Sequence, residues 1–209
     1  MRKLTKYMLS KHGGKAATKD EIAKICESFG ANVDSTINFM ISYGYFVRIL
    51  RGLYYVKTIE EFGLKKSKDI LEVVSLGMNR LGVKWYFGLH TSLRLNGLTY
   101  EFSDTVFVMN DKVYRSKEIH VGGQKVKFIK LVSRLFDFGI VTKNDMKFSD
   151  VEKTLLDLVY ISRYRSVPET KALSTIEDYR ANAETKKIKA YLKFYPKAME
   201  RMIVNAGLV

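Results

Sequence analysis

Three stretches of this 209-residue chain hold side chains that could do chemistry. Asp137, followed by Asp145-Met146-Lys147, has the loose acid…acid-x-Lys form in which carboxylates hold a divalent cation beside a lysine. That is the pattern of a metal-dependent nuclease. Hard cations need several convergent oxygens, and 36 Lys and Arg residues make such a match easy to meet by chance. His90-Thr91-Ser92 sets a histidine beside hydroxyls, yet no Gly-x-Ser-x-Gly elbow surrounds Ser92. A lone histidine in that apolar setting reads as a satisfied core residue. Glu152, Lys153 and Asp157 could be taken for an acid–base set. A helix start explains them without chemistry: Ser149 caps, and Asp150 and Glu152 meet the positive end of the helix dipole. His12 and His120 lack metal-ligand spacing to each other or to Cys26, which reads as a buried inert thiol. No catalytic residue, metal or cofactor is expected.

A different chemistry suits the charge. The formal net charge is +14, and residues 1–24 alone carry seven basic side chains against two acidic ones. Such a surface favours polyanions. The stretch Tyr45–Lys57, YFVRILRGLYYVK, puts Arg51-Gly52 between two apolar runs and Arg48 inside the first. It reads as a hairpin with Arg51 at its tip and Arg48 and Leu50 facing away from Val47 and Ile49. Arginines on a hairpin edge can simply discourage aggregation. They can also lie along a phosphate backbone.

The elements needed to position such a hairpin precede it. Leu4, Tyr7 and Met8 mark a first helix ending at Gly13-Gly14. Thr18 with Glu21 has the spacing of a capping box, and Ile22, Ile25, Cys26 and Phe29 follow at helical period. Val33, Ile37, Met40 and Ile41 trace a third helix whose outer face holds Asp34, Ser35, Asn38 and Ser42. Three helices and a hairpin in about 60 residues have the layout of a winged helix-turn-helix. In that layout Ser35 and Asn38 would meet base edges. Lys3, Lys6, Lys15, Lys19, Arg48 and Arg51, with Arg2 and Lys57 nearby, would meet phosphates. A merely solvated polar face on the third helix is the competing reading, since that helix carries no Arg or Lys.

The expected fold class is α+β: a winged helix-turn-helix over residues 1–60, then a C-terminal domain over residues 61–209. That domain should be mixed α/β to about residue 149 and helical over 150–209. Thr58–Lys68 reads as a linker. Helices are expected around Ile70–Met78, Leu89–Leu95, Val151–Ser162, Glu169–Arg180 and Glu184–Tyr195, with one more after Pro196. Strands are expected at Trp85–Phe87, Thr105–Met109, Lys125–Val132 and Gly139–Thr142. Ile188, Tyr191, Leu192 and Tyr195 form an apolar stripe opposite Lys186, Lys189, Lys193 and Lys197.

Three blocks in order carry a resemblance. Arg51-Gly52-Leu53-Tyr54 looks like the wing motif of the AbiEi-type antitoxin and transcriptional regulator family. YFGLHTSLRLNGLTYE, Tyr86–Glu101, resembles that family's segment ending in an N/H-Gly-Leu-Thr turn. FSDVEKTLLDLV, Phe148–Val159, is similar to its Ser-Asp-x-Glu-(Lys/Arg)-Thr-Leu-Leu-Asp helix start. The resemblance implies a DNA-binding repressor, the autoregulating antitoxin of a toxin–antitoxin system, that works by binding rather than catalysis. The implied partners are double-stranded DNA of its own promoter and a nucleotidyltransferase-like toxin. The resemblance maps DNA contact onto Ser35, Asn38, Arg48 and Arg51. The rival function is a metal-dependent nuclease targeted by the same N-terminal domain. No apolar run approaches the roughly 18 residues of a membrane span, and no secretory signal is recognised, so a cytoplasmic protein is expected.

Overall fold

The computed structural model describes residues 2–64, 66–99, 103–164 and 167–207. The fold is α+β, with helices and a mixed sheet, and the chain divides into two compact units.

The first unit comprises Met1–Val83 with His120–Gln124. Its elements are α1 (Arg2–His12), β1 (Ala16–Thr18), α2 (Lys19–Ser28), α3 (Val33–Ser42), β2 (Phe46–Leu50), β3 (Leu53–Val56), α4 (Ile59–Gly63) and α5 (Ile70–Leu81). Local sequence sets the helix starts. Thr18 and Glu21 form the expected capping box on α2. The Asn32 side chain accepts from the Ser35 amide at the start of α3, and Asp69 accepts from Leu71 at the start of α5. The strands lie antiparallel in the order β1–β3–β2.

Both faces of this small sheet are covered. Phe46, Tyr54 and Val56 join Leu4, Met8, Ile22, Cys26, Ile37 and Met40 in one core. Fully burying each large apolar side chain is worth about 1.5–3 kcal/mol, which is why three short helices can stand on three short strands. On the other face lies α5. A side chain at Gly77 would sit 2.6 Å from Ile49 Cδ1, so glycine there permits the close approach of helix and sheet. The unit therefore continues past residue 60 to Val83. The pairing register shifts between Arg48 and Leu50, and this bulge buries Leu50 beside Ile49 instead of leaving it outside with Arg48. The expected linker Thr58–Lys68 instead holds α4, capped by Thr58 and Glu61. Glu61 also accepts from the Tyr55 hydroxyl at 2.6 Å and the Lys68 amide at 3.1 Å. Lys65 lies outside the described residues.

The second unit comprises Lys84–Ile119 with Lys125–Val209. It holds β4 (Trp85–Phe87), α6 (Leu89–Leu95), β5 (Thr105–Asn110), β7 (Gln124–Lys130), β8 (Ile140–Lys143) and β9 (Met146–Ser149). The short β6 (Ile119–Val121) and the Gly122-Gly123 turn lead into β7, and both glycines have positive φ, as a tight turn requires. The helices are α7 (Val151–Tyr164), α8 (Glu169–Tyr179), α9 (Thr185–Leu192) and α10 (Lys197–Asn205). Within the unit the sheet runs β7–β5–β4–β9–β8. It is mixed: β5 pairs β7 in parallel, β4 pairs β9 in parallel, and β4–β5 and β8–β9 are antiparallel. Leu155, Leu156 and Val159 of α7 sit at the centre of the core with Ile176, Ile188, Leu192 and Ile203. Among the described residues no helix is long and apolar enough to cross a membrane.

Candidate nucleic-acid interface

Exposed cations of the first unit lie on α1, just before β1 and on the β2–β3 hairpin. Lys3 and Lys6 lie on the outer side of α1, and Lys15 precedes β1; all three are exposed. The side chain of Arg2 lies outside what the structure describes. Arg51 stands at the turn between β2 and β3, where Gly52 takes φ +80. Arg48 pairs across to Tyr54, and its guanidinium carbon lies 5.9 Å from the centre of that ring. The ring restrains the guanidinium while leaving it in solvent.

On α3, Asp34, Ser35, Asn38 and Ser42 are exposed, as expected from the helical period. Their hydrogen-bond capacity is not equal. The Ser35 amide is spent on the Asn32 cap at 3.0 Å, so only its hydroxyl remains for a ligand. The Ser42 hydroxyl donates to the Asn38 carbonyl at 2.6 Å, which leaves the exposed Asn38 carboxamide as the group able to read a donor–acceptor pair. Thr36, on the same turn, is buried and donates to the Asn32 carbonyl at 2.7 Å.

Lys19 differs from the expectation. Its Nζ lies 2.6 Å from Asp34 Oδ1, in an ion pair that joins α2 to the first turn of α3. Its backbone amide donates to the Gly52 carbonyl at 2.8 Å. One residue thus ties the hairpin tip to the start of α3, and its charge is shared with a carboxylate. Sequence reasoning missed Asp34 as that partner, because a pairing across 15 residues leaves no periodic signal.

Glu21 ties the same, N-terminal end of α2 to α5. Besides capping, its carboxylate takes the Arg80 guanidinium of α5, with Arg80 Nε donating to Oε2 at 3.1 Å. The hydrogen bond from Arg80 holds the Glu21 carboxyl well below the usual range, at about 2.

The other candidate residues find ordinary places. Asn144 and Asp145 both take positive φ (50 and 59) in the turn joining β8 and β9. That turn needs short polar residues able to adopt this conformation. Asp137 pairs with Lys84 at 2.7 Å. Among the described residues no three His, Cys, Asp or Glu side chains come together as a metal site would require. Ser92 is buried; its hydroxyl donates to the Phe87 carbonyl and accepts from the Ser149 amide at 3.1 Å. His90 is exposed, its ring tilted by 57° to that of Phe107 with centroids 5.9 Å apart, and is not a core residue as expected. The α7 start also differs by one position. Ser149 is buried and bonded to Ser92 and Thr154, while Asp150 caps the helix by accepting from the Lys153 amide at 2.9 Å. Glu152 is buried and accepts from the Glu184 amide at 2.9 Å. Tyr100 and Glu101, which end the Tyr86–Glu101 block, lie outside the described residues.

No family model and no curated protein matches this chain. Among solved structures it is similar to the crystal structure of the RV2827C protein from Mycobacterium tuberculosis, with a TM-score of 0.58. The likeness covers 96% of this chain and 73% of that one at 11% identity. At that identity the shared property is the fold.

Proposed function

We propose that this chain is a DNA-binding regulator whose first unit works as a winged helix-turn-helix. In this reading α3 enters the major groove and the β2–β3 hairpin is the wing. The observation that carries it is the double attachment of Lys19, which holds the Arg51-Gly52 tip and the Asp34 end of α3 to the same residue. A helix with exposed Ser35 and Asn38 and a hairpin with exposed Arg48 and Arg51 are thereby fixed in mutual register. Rigid spacing between a base-reading helix and a phosphate-gripping loop is what sequence-specific binding asks of a small domain. Lys3, Lys6 and Lys15 add cations from α1 and from the residue just before β1, and neutralised phosphates supply affinity without sequence information.

The three blocks resembling the AbiEi-type family extend the proposal. The chain would repress its own promoter as an antitoxin, and its second unit would meet a nucleotidyltransferase-like toxin. The test is a gel shift with DNA from upstream of the gene against random-sequence competitor across a salt series. Retention of the upstream fragment over a large excess of random DNA supports the reading. Equal loss to both sinks sequence-specific regulation, and no shift at moderate salt sinks DNA binding.

A further inference from the structure

A groove of about 910 Å³ runs along the outer side of β7 in the second unit. Its floor is apolar, with Phe128, Ile129, Leu131 and Ile161. In the parallel β5–β7 ladder, Leu131 donates to the Asn110 carbonyl, so the odd-numbered residues of β7 turn their amides and carbonyls toward β5. Phe128 and Lys130 therefore turn theirs toward the groove. The opposite wall, residues 111–116, forms no strand and is tied down by Lys127 Nζ donating to the Ser116 carbonyl. β6 takes the start of this edge, and beyond it the edge at Phe128 and Lys130 faces the groove over an apolar floor.

Its rim fixes the sign of an occupant. Arg115 and Lys130 line it against the one acid Asp111, and both cations are exposed. Tyr114 and Val132, 73% and 48% exposed, leave apolar surface at the rim. We propose that this groove takes up an extended acidic segment of a partner protein, which adds a strand to β7. Its backbone pairs with Phe128 and Lys130, its apolar side chains enter the floor, and its carboxylates meet Arg115 and Lys130. A duplex would leave the floor and the backbone groups unused, and a second copy of a chain carrying +14 would bring like charge against the rim. The inference is independent of the DNA-binding reading.

The test is fluorescence anisotropy of the full chain with a labelled Asp-Val-Asp-Ile-Asp-Val-Asp peptide. Saturable binding is expected. It should weaken by about tenfold or more for the peptide N-methylated at alternate amides in one of the two registers, and for the Arg115→Glu/Lys130→Glu protein. Trp85 fluorescence and a thermal melt check that the variant is folded. If it is not, the N-methyl comparison on the parent protein decides. The proposal is overturned by no saturation up to about 1 mM peptide, or by undiminished binding of both N-methylated peptides. Displacement of the peptide by equimolar random duplex would make the groove a nucleic-acid surface. A dimer dissolved by the same two substitutions would make it a self-association face. Either outcome also sinks the proposal.

Discussion

Lys153 and Asp157 form an ion pair at 3.5 Å, one turn apart on α7, with neither side chain reaching solvent. The Tyr86 and Tyr195 hydroxyls each donate to the Asp157 carboxylate at 2.7 Å. The ammonium rests against ring faces, 4.3 Å from the centre of Phe138 and 4.8 Å from that of Tyr86. Burial pushes the Asp157 carboxyl up and the Lys153 ammonium down from their ordinary values, and each charge opposes that shift in the other. Gly139 completes the site: a side chain there would stand 2.8 Å from Lys153 Cβ.

Removing one partner should therefore cost more than removing both. Asp157→Ala leaves a buried uncompensated ammonium and is expected to lose about 3–5 kcal/mol, whereas Lys153→Met/Asp157→Leu should lose less. Urea unfolding followed by the single tryptophan, Trp85, reads the second unit directly. A double variant less stable than the single one would refute the account of the pair.

The Glu21–Arg80 contact should show in acid. The folded carboxyl, at about 2, lies below its ordinary 4.5, so its stabilisation is present above about 4.5 and lost as pH falls toward 2. Both side chains are partly exposed, so the effect is about 1 kcal/mol or less. Glu21→Gln keeps a capping-box side chain and removes the charge. Its stability deficit at neutral pH should vanish between pH 4.5 and 2, measured by chemical denaturation; a deficit constant across that window contradicts the assignment.

Arg51→Ala should weaken binding to every duplex alike. Loss of one phosphate contact lowers the slope of log K against log salt by about one unit. Parent and variant with identical salt titrations would remove Arg51 from the interface.

Asn38→Ala acts on a different quantity. Discrimination between operator and random DNA should fall by about 1–3 kcal/mol with little change in salt slope. Competitive gel shifts separate the two effects, and unchanged discrimination would leave the outer face of α3 merely solvated.

Asp34→Asn should do the reverse of Arg51→Ala. It releases Lys19 from its 2.6 Å pair and removes a negative charge from the α3 start, so DNA affinity should rise by about 2–10-fold at low salt. A fall in affinity would mean that the pair is needed to hold the hairpin tip.

The elements with local signals were legible in the sequence. Leu89–Leu95 ends where Asn96-Gly97 stop it, and Trp85–Phe87 is a strand as its residue types demand. Thr18 and Glu21 cap α2 because a capping box involves only residues three apart. The outward set Asp34, Ser35, Asn38 and Ser42 followed from the helical period alone. Composition likewise placed a dense positive charge at the N-terminal end.

What the sequence left open depends on partners distant in the chain. β1 is three residues long and is a strand because Ala16, Ala17 and Thr18 pair with Tyr55, Tyr54 and Leu53. The bulge that turns Leu50 inward answers to β3 and to the second buried face created by α5. Lys19 looked like one more free cation until folding set Asp34 beside it. Glu152, Lys153 and Asp157 looked like helix-start charges, yet two of them form a pair sealed from water beneath aromatic rings. Periodicity and caps act over a few residues, so one sequence determines them. Burial, ion pairing and strand register depend on which surfaces meet, and only the tertiary structure decides that.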